Sequence, residues 1–396
     1  MQKWAVIACD QFTSQPEYWE QVKNFVGYSP SAYNLILPEA TLNDPEKDIQ
    51  GEISRINLTM NNYLEQKLFT EYRNSFVYVE RTLLDGSVRK GIVGVIDLEE
   101  YDYKPGSNSK IRATEKTVVE RIPPRKLIRE NAIIELSHVI LLCDDERRDL
   151  IEPLKLSKHS MKKLYDFDLM QNGGNIKGWL VNGEHSRAFT TRMNLYIKRK
   201  SKNLSVVFAV GDGNHSLAAA KKCYEDGITS RYAMVELENI HDEALKFEPI
   251  HRIVKNTNSE ELLNSIKNEI CVNGWANSKN SWPVNFYSQN KNGVIHIAKA
   301  KGDSALTVLQ KYLDDQKYEI DYIHGKDTLK DLSNSENCVG FEMPDFDENS
   351  KNEFFNLISK SGVLPRKTFS MGHAVEKRYY IEARKIKQDI LRNNVG

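Results

Sequence analysis

The chain has 396 residues, 40% hydrophobic and 28% charged, an ordinary globular composition long enough for two or three domains. Its 55 basic and 55 acidic side chains cancel, so the whole molecule offers no electrostatic pull toward nucleic acid or an anionic membrane. Five scattered cysteines, Cys9, Cys143, Cys223, Cys271 and Cys338, fit reduced thiols better than a disulfide frame or a zinc site, and a cytoplasmic setting is expected.

In chain order, Trp4 to Cys9 reads as a short strand ending at Asp10-Gln11, reaching charge before any signal-length apolar stretch develops. Tyr18 to Phe25 then has helical spacing. Phe76 to Leu84 and Gly91 to Leu98 flank an Asp85-Gly86 turn, which predicts a hairpin and an antiparallel component. Pro123-Pro124 precedes a helix-like Arg125 to Ile134, and Ser137 to Cys143 reads as a buried strand with His138 as a hydrogen-bonded core residue. The apolar segment Ala132 to Cys143 is interrupted by Glu135, Ser137 and His138 and is too short to span a bilayer. Trp179 to Val181 opens a set of strands expected to continue through Ala188 to Ile197.

After Pro249 the pattern changes. Ser259 is expected to cap an amphipathic helix to Ile270, a polar segment covers Asn277 to Lys291, and Val294 to Ala298 reads as a strand. Helices follow over Ser304 to Leu313 and Asn352 to Ser361, and a last strand over Arg378 to Ala383. No internal repeat occurs. The expected division is a core over 1–250 that carries the site, with a C-terminal α+β domain over 251–396 completing its cleft.

The most informative stretch is Val206 to Lys222: an apolar run, then Gly211-Asp212-Gly213-Asn214-His215-Ser216, then an alanine-rich helix. A buried strand that hands over to a helix through two glycines leaves backbone N–H groups pointing outward at the positive end of the helix dipole, a geometry suited to phosphate. Asp212 and His215 place a metal ligand and an acid-base group beside that cradle. The competing reading is a tight turn in which Asp and Asn serve as turn formers and caps.

A second constellation runs from Ile111 to Arg125. Arg112, Lys116, Arg121 and Arg125, with Thr114, Thr117, Glu115 and Glu120, form the inventory needed to clamp an anion and hold a metal or base beside it. A solvated helix face with charges paired at helical spacing explains the same residues. A third polar cluster, Leu364 to His373, contributes Arg366, Lys367 and Ser370 and is equally compatible with an exposed turn. No zincin, zinc-finger or Gly-X-Ser-X-Gly pattern occurs, nor a Walker loop or dinucleotide glycine fingerprint.

The segment Asp212-Gly213-Asn214-His215-Ser216-Leu217-Ala218-Ala219-Ala220 resembles the Asp-Gly-His/Asn-His-Arg-x-x-Ala motif of the ParB and sulfiredoxin-like superfamily. Within it the chain resembles the uncharacterised DUF1015 family, through Ala8-Cys9-Asp10-Gln11-Phe12, Arg112-Ala113-Thr114-Glu115-Lys116-Thr117 and Gly362 to Ser370 as well. The resemblance implies an α/β (mixed α+β) fold with a ParB/sulfiredoxin-like core, antiparallel hairpins and an additional C-terminal α+β region. It also implies nucleotide phosphates at the glycine turn and helix start, as in free-serine kinases and nucleotide-dependent ParB proteins. Ser216 stands where the motif carries arginine, so the gripping charge would come from Arg112, Lys116, Arg121 or Arg125.

On that basis the expected activity is phosphoryl transfer to a small hydroxyl-containing metabolite. The donor would be ATP, ADP or pyrophosphate, held with Mg2+ by Gly211, Gly213, Asn214, Ser216, Arg112, Thr114, Lys116, Thr117, Arg121 and Arg125. Asp212, His215 and Glu115 would carry the chemistry, with Asp212 also the metal ligand, and Asp10, Gln11, Arg366, Lys367 and Ser370 would face the acceptor. A nucleotide-binding switch or ParB-like DNA module is the competing class, disfavoured by the balanced charge, and a phosphohydrolase would use the same site with water. Sulfiredoxin chemistry needs a reactive cysteine, and Cys223, well into the helix, is the nearest in sequence. The partner is a small molecule rather than a membrane or nucleic acid, and a homodimer is compatible with the sequence.

Overall fold

The computed structural model describes residues 1–387 except 14, 43–46, 116, 118, 120–121, 203–204, 273–278, 290, 300–302, 346–347 and 366. The fold is mixed α/β, in two units. The first takes Met1–Ala113, Thr117–Leu245 and the chain from Gly372 onward; the second takes Thr114–Lys116 and Lys246–Met371. Where the sequence places one break near residue 250, the division falls after Leu245, and the chain beyond Met371 rejoins the first unit.

The first unit is organised by a nine-stranded mixed sheet. Its strands run in the order Tyr101–Asp102, Ile111–Ala113, Phe208–Asp212, Ile140–Cys143, Tyr232–Asn239, Val88–Asp97, Phe76–Thr82, Asn175–Val181 and Lys162–Asp168. Phe76–Thr82 and Val88–Asp97 form the hairpin expected from Asp85-Gly86, with Thr82 opposite Val88 and Gly86 at φ +82°. Side chains alternate across the sheet: Tyr78, Ile92 and Val235 enter one core while Val79, Val93 and Met234 enter the other. Both faces are covered, which is why the central strands read as almost continuous apolar runs.

The segment expected as strands through Ala188 to Ile197 is instead a helix, Gly183–Lys200. Phe189, Met193 and Tyr196 recur at helical spacing and pack on one side of the sheet, and this tertiary burial overrides the local β-propensity of Phe189-Thr190-Thr191. The expected helix start at Arg125 moves back to Ile122, so that the two prolines occupy the first turn, where their missing N–H groups cost nothing.

In the second unit, Gly293–Ala298, Ser281–Tyr287, Val339–Glu342, Phe247–Lys255 and Glu319–His324 form an antiparallel sheet in that order, with Phe369–Met371 added along Phe247–Pro249. Helices Ser259–Glu269 and Ala305–Asp315 fill its core with Leu262, Ile266, Leu309 and Leu313 against Val284, Phe286 and Phe341. The cap of the first is Asn258, one residue before the expected Ser259, its side chain accepting from Glu260 and Glu261 N–H. The strand Ser281–Tyr287 lies inside the segment read as polar; Ser281, Val284 and Phe286 are buried, and Trp282 packs partly against the same core. No described helix is long and apolar enough to cross a membrane.

Candidate functional site

The strand Phe208–Asp212 runs into the helix Asn214–Glu225 through Gly213, which takes φ +80° as the N-cap residue and provides no side-chain cap. The N–H groups of Asn214, His215 and Ser216 precede the first intrahelical bond, from Leu217 N–H to the Gly213 carbonyl (3.0 Å). Asp212 Oδ1 accepts the Gly213 N–H at 2.9 Å, and Oδ2 faces the Lys377 ammonium at 3.5 Å. The Asn214 side-chain oxygen is buried without a hydrogen-bond partner among the described residues.

Gly213 is held there by sterics as well as by its dihedral. A Cβ would lie 3.0 Å from Val139 Cα, so Gly213→Val strains the turn itself. The variant is expected to lose about 1–3 kcal/mol, read as a lower melting temperature of the ligand-free protein; a wild-type melting curve would contradict this account of the turn.

Two distant segments complete the surroundings. Val6–Ile7 pairs antiparallel with Tyr379–Tyr380, which lays Cys9 and Asp10 beside the C-terminal stretch. His138, just before the strand Ile140–Cys143, meets both: its Nδ1 lies 2.8 Å from the Tyr380 hydroxyl, and its Nε2 lies 3.3 Å from Ser216 Oγ and 3.6 Å from Asp10 Oδ2. Cys9 N–H donates to the same Tyr380 hydroxyl at 3.2 Å, and Gln11 donates to Asp10 Oδ1 at 3.1 Å.

The electrostatics favour an ion pair. Burial pushes the His138 imidazolium down, but Asp10, with Asp212 beyond it, outweighs burial and the opposing Arg125, so the net shift is upward from 6.5. Burial pushes the Asp10 carboxyl up, and the His138 charge together with hydrogen bonds from His138 and Gln11 takes it well below the carboxylate range. The pair's contribution to stability therefore fades as pH falls through the depressed Asp10 value and again as pH rises through the elevated His138 value. In an imidazole NMR titration, His138 is expected above 6.5 in the wild type and lower than the wild-type value in Asp10→Asn, where Asp212 alone opposes burial and Arg125. An Asp10→Asn value equal to the wild type's would contradict the pairing.

A cavity of about 130 Å³ opens beside this network, lined by Ser216, His138, Cys9, Tyr380 and Arg125 among apolar side chains. Arg125, on the helix Ile122–Glu130, is ion-paired with Glu39. Burial, then the neighbouring Asp10 charge, push the Cys9 thiol up to about 11. Cys9, not Cys223, is the cysteine of the site, and it is held as a thiol.

The remaining expected residues fall in different places. Arg112 belongs to Ile111–Ala113, parallel to Phe208–Asp212, but its guanidinium reaches the Ser107 carbonyl and Ser205 Oγ, toward the start of the strand whose end carries Asp212. Thr117 is buried in the first unit with a hydroxyl that has no described hydrogen-bond partner. Thr114 and Glu115 belong to the second unit: Leu364 N–H donates to the Thr114 carbonyl at 2.7 Å, and Thr368 N–H donates to Glu115 Oε1 at 3.2 Å. Burial raises the Glu115 carboxyl despite the Lys367 and Thr368 amides. Lys367, at φ +58°, and Ser370, in Phe369–Met371, lie in the same unit. Lys116, Arg121 and Arg366 lie outside the described residues. Among the described residues, the three-membered grouping of metal-ligand side chains is Asp144, Glu146 and His241 rather than one around Asp212, and Lys200 is bonded to Asp144 within it.

A family model described as "Protein of unknown function (DUF1015)" matches residues 1–333. The chain belongs to the DUF1015 family. No curated protein matches it. Among solved structures, this DUF1015 chain is similar to a conserved hypothetical protein from Pyrococcus furiosus, at 12% identity and TM-score 0.37 over 74% of this chain and 95% of that one. It is similar to C-terminally truncated SbnI from Staphylococcus aureus, at 10% identity and TM-score 0.38 over 70% and 81%. It is also similar to a free serine kinase in complex with AMP, at 13% identity and TM-score 0.39 over 74% and 91%.

His138, Lys377 and Tyr380 are the site residues that sequence reasoning missed. His138 is buried and hydrogen-bonded as expected, but its partners come from three separate places: Ser216 at the helix start, Tyr380, and Asp10. The available signal was its position: a histidine beside Ser137 at the mouth of an apolar run, where a strand end rather than a strand centre is expected.

Proposed function

We propose that this protein binds the phosphates of a nucleotide or of pyrophosphate at the start of the helix Asn214–Glu225 and transfers a phosphoryl group to a small hydroxyl compound. One observation carries the reading: four separate stretches of chain bring Asp10, His138, Asp212 and Lys377 around a helix N-terminus whose cap residue, Gly213, has no side chain. Backbone N–H groups, the Ser216 hydroxyl and two cations are the inventory for a polyphosphate. Lys377 supplies the charge that the motif arginine would give in the ParB and sulfiredoxin-like superfamily, to which the Asp212–Ala220 segment is similar. The elevated Cys9 thiol speaks against a sulfiredoxin-type thiolate.

The donor set fits Mg2+ carried in by the phosphates. Asp212 and the Asn214 oxygen, which has no hydrogen-bond partner among the described residues, are hard acceptors, which suits an ion bound by one or two protein groups and otherwise by substrate oxygens. Bound there, the metal would neutralise charge building on the transferred group. Asp212 orients the acceptor and the Lys377 ammonium, His138 holds a positive charge toward the phosphates through Ser216, and Asp10 keeps that charge in place.

The test is a thermal-shift series on the full chain with ATP, ADP and pyrophosphate, with and without Mg2+. Wild type is expected to be stabilised by at least one of them. Lys377→Met, losing a charge-assisted contact, should bind about tenfold or more weakly. Absence of a shift with every phosphate compound would remove the proposal, and an undiminished shift in Lys377→Met would remove Lys377 from it.

A further inference from the structure

The helix Gly183–Lys200 does not close fully on the sheet beneath it. Between them, wholly within the first unit, lies a cavity of about 360 Å³, lined by Ile92, Leu141, Phe208 and Val235 from strands and by Phe189 and Met193 from the helix. This is more than twice the roughly 150 Å³ apolar cavity that admits benzene, and it falls within the range of small-molecule sites. It shares no lining residue with the cavity beside Ser216. Protein cores ordinarily fill such space, because a void forfeits contacts on every side, and water gains no hydrogen bonds from an aliphatic and aromatic wall.

The rim narrows the class of occupant. Its charged groups are Lys110, Glu100 and Asp97; Lys110 pairs with Glu100 at 3.0 Å, and Asp97 is held by Arg231 at 2.5 Å. Because both acids are already neutralised in pairs, the rim offers a charged head group no uncompensated counter-charge, whereas a neutral ligand leaves both pairs as they are. Thr190, exposed on the helix, adds a hydroxyl at the edge. We propose that this cavity is a binding site for an uncharged, mainly hydrocarbon small molecule, with space for roughly ten carbon atoms and at most a hydroxyl head directed at the rim. The site is independent of the phosphate-binding proposal, since neither its residues nor its chemistry enter that one.

The experiment titrates the full-length protein with N-phenyl-1-naphthylamine, a neutral apolar dye that fluoresces on leaving water, and then displaces it with decanol or decanoate. A saturable single-site rise is expected, with decanol displacing the dye at about tenfold lower concentration than decanoate. Met193→Trp, which fills the cavity from the helix, should weaken dye binding at least tenfold. Thr190→Trp, which crowds the rim from an exposed position, should also weaken it and serves should Met193→Trp not fold. Absence of saturable binding would overturn the proposal, as would decanoate displacing the dye as well as decanol does, or wild-type binding in both variants. Dye excluded as protein concentration rises, together with a doubled mass by light scattering, would overturn it in favour of a second copy of this chain.

Discussion

Replacing Asp212 with Asn is expected to lower phosphoryl transfer by about two orders of magnitude while leaving metal-free nucleotide binding in place. The separation follows from the geometry. An asparagine side-chain oxygen can still accept the Gly213 N–H that Asp212 Oδ1 takes at 2.9 Å, so the turn survives. What disappears is the negative charge opposite Lys377, and with it the group proposed to orient the metal and the attacking hydroxyl. Removing that charge also leaves the Lys377 ammonium unneutralised, which favours an anion. Wild type and variant would be compared with free serine, other small hydroxyl compounds and water as acceptors, following transferred phosphate. Equal rates would reduce Asp212 to a turn residue. Tight nucleotide binding with no transfer to any acceptor would favour a switch over an enzyme.

Arg378→Met is expected to cost about 3–5 kcal/mol, the scale for stripping one partner from a buried ion pair, and to lower the melting temperature by roughly 10 °C. Arg378 is almost fully buried in the sheet-covered core, ion-paired with Glu236 and with Glu382 at 2.6 Å, and its Nε donates to the Ser137 carbonyl at 2.9 Å. The methionine fills similar volume but leaves the Glu236 carboxylate buried without its counter-charge. Because Ser137 precedes His138, the same change loosens the segment that carries the imidazole. Calorimetric unfolding measures the loss directly. A change below about 1 kcal/mol, the surface-pair scale, would mean that water reaches Glu236.

How much of this was legible in the sequence depends on the range of the interactions. The Asp85-Gly86 hairpin and the strand-turn-helix around Gly213 are local, written in turn residues and in the switch from strand to helix spacing, and both stand close to their expected bounds. The helix Gly183–Lys200 misled because Phe, Thr and Tyr favour strands locally, while the burial that decides the matter comes from a sheet built elsewhere in the chain. The site splits the same way. Asp212, Gly213 and Ser216 announce themselves within one turn, whereas the bond between His138 and Tyr380 spans 242 residues and depends on Val6–Ile7 pairing with Tyr379–Tyr380. Arg112 illustrates the reverse: a basic residue in a suggestive cluster whose guanidinium is engaged by Ser107 and Ser205. Composition showed the charge; only the register of Ile111–Ala113 against Phe208–Asp212 showed where it goes.

The most direct test of the central claim is a crystal structure of the full chain grown with ADP and Mg2+. The account predicts diphosphate oxygens within hydrogen-bond distance of the N–H groups that follow Gly213, with the Lys377 ammonium and the Ser216 hydroxyl also on the phosphates. Nucleotide bound at another place in the fold, with the start of the helix Asn214–Glu225 carrying only water, would contradict it.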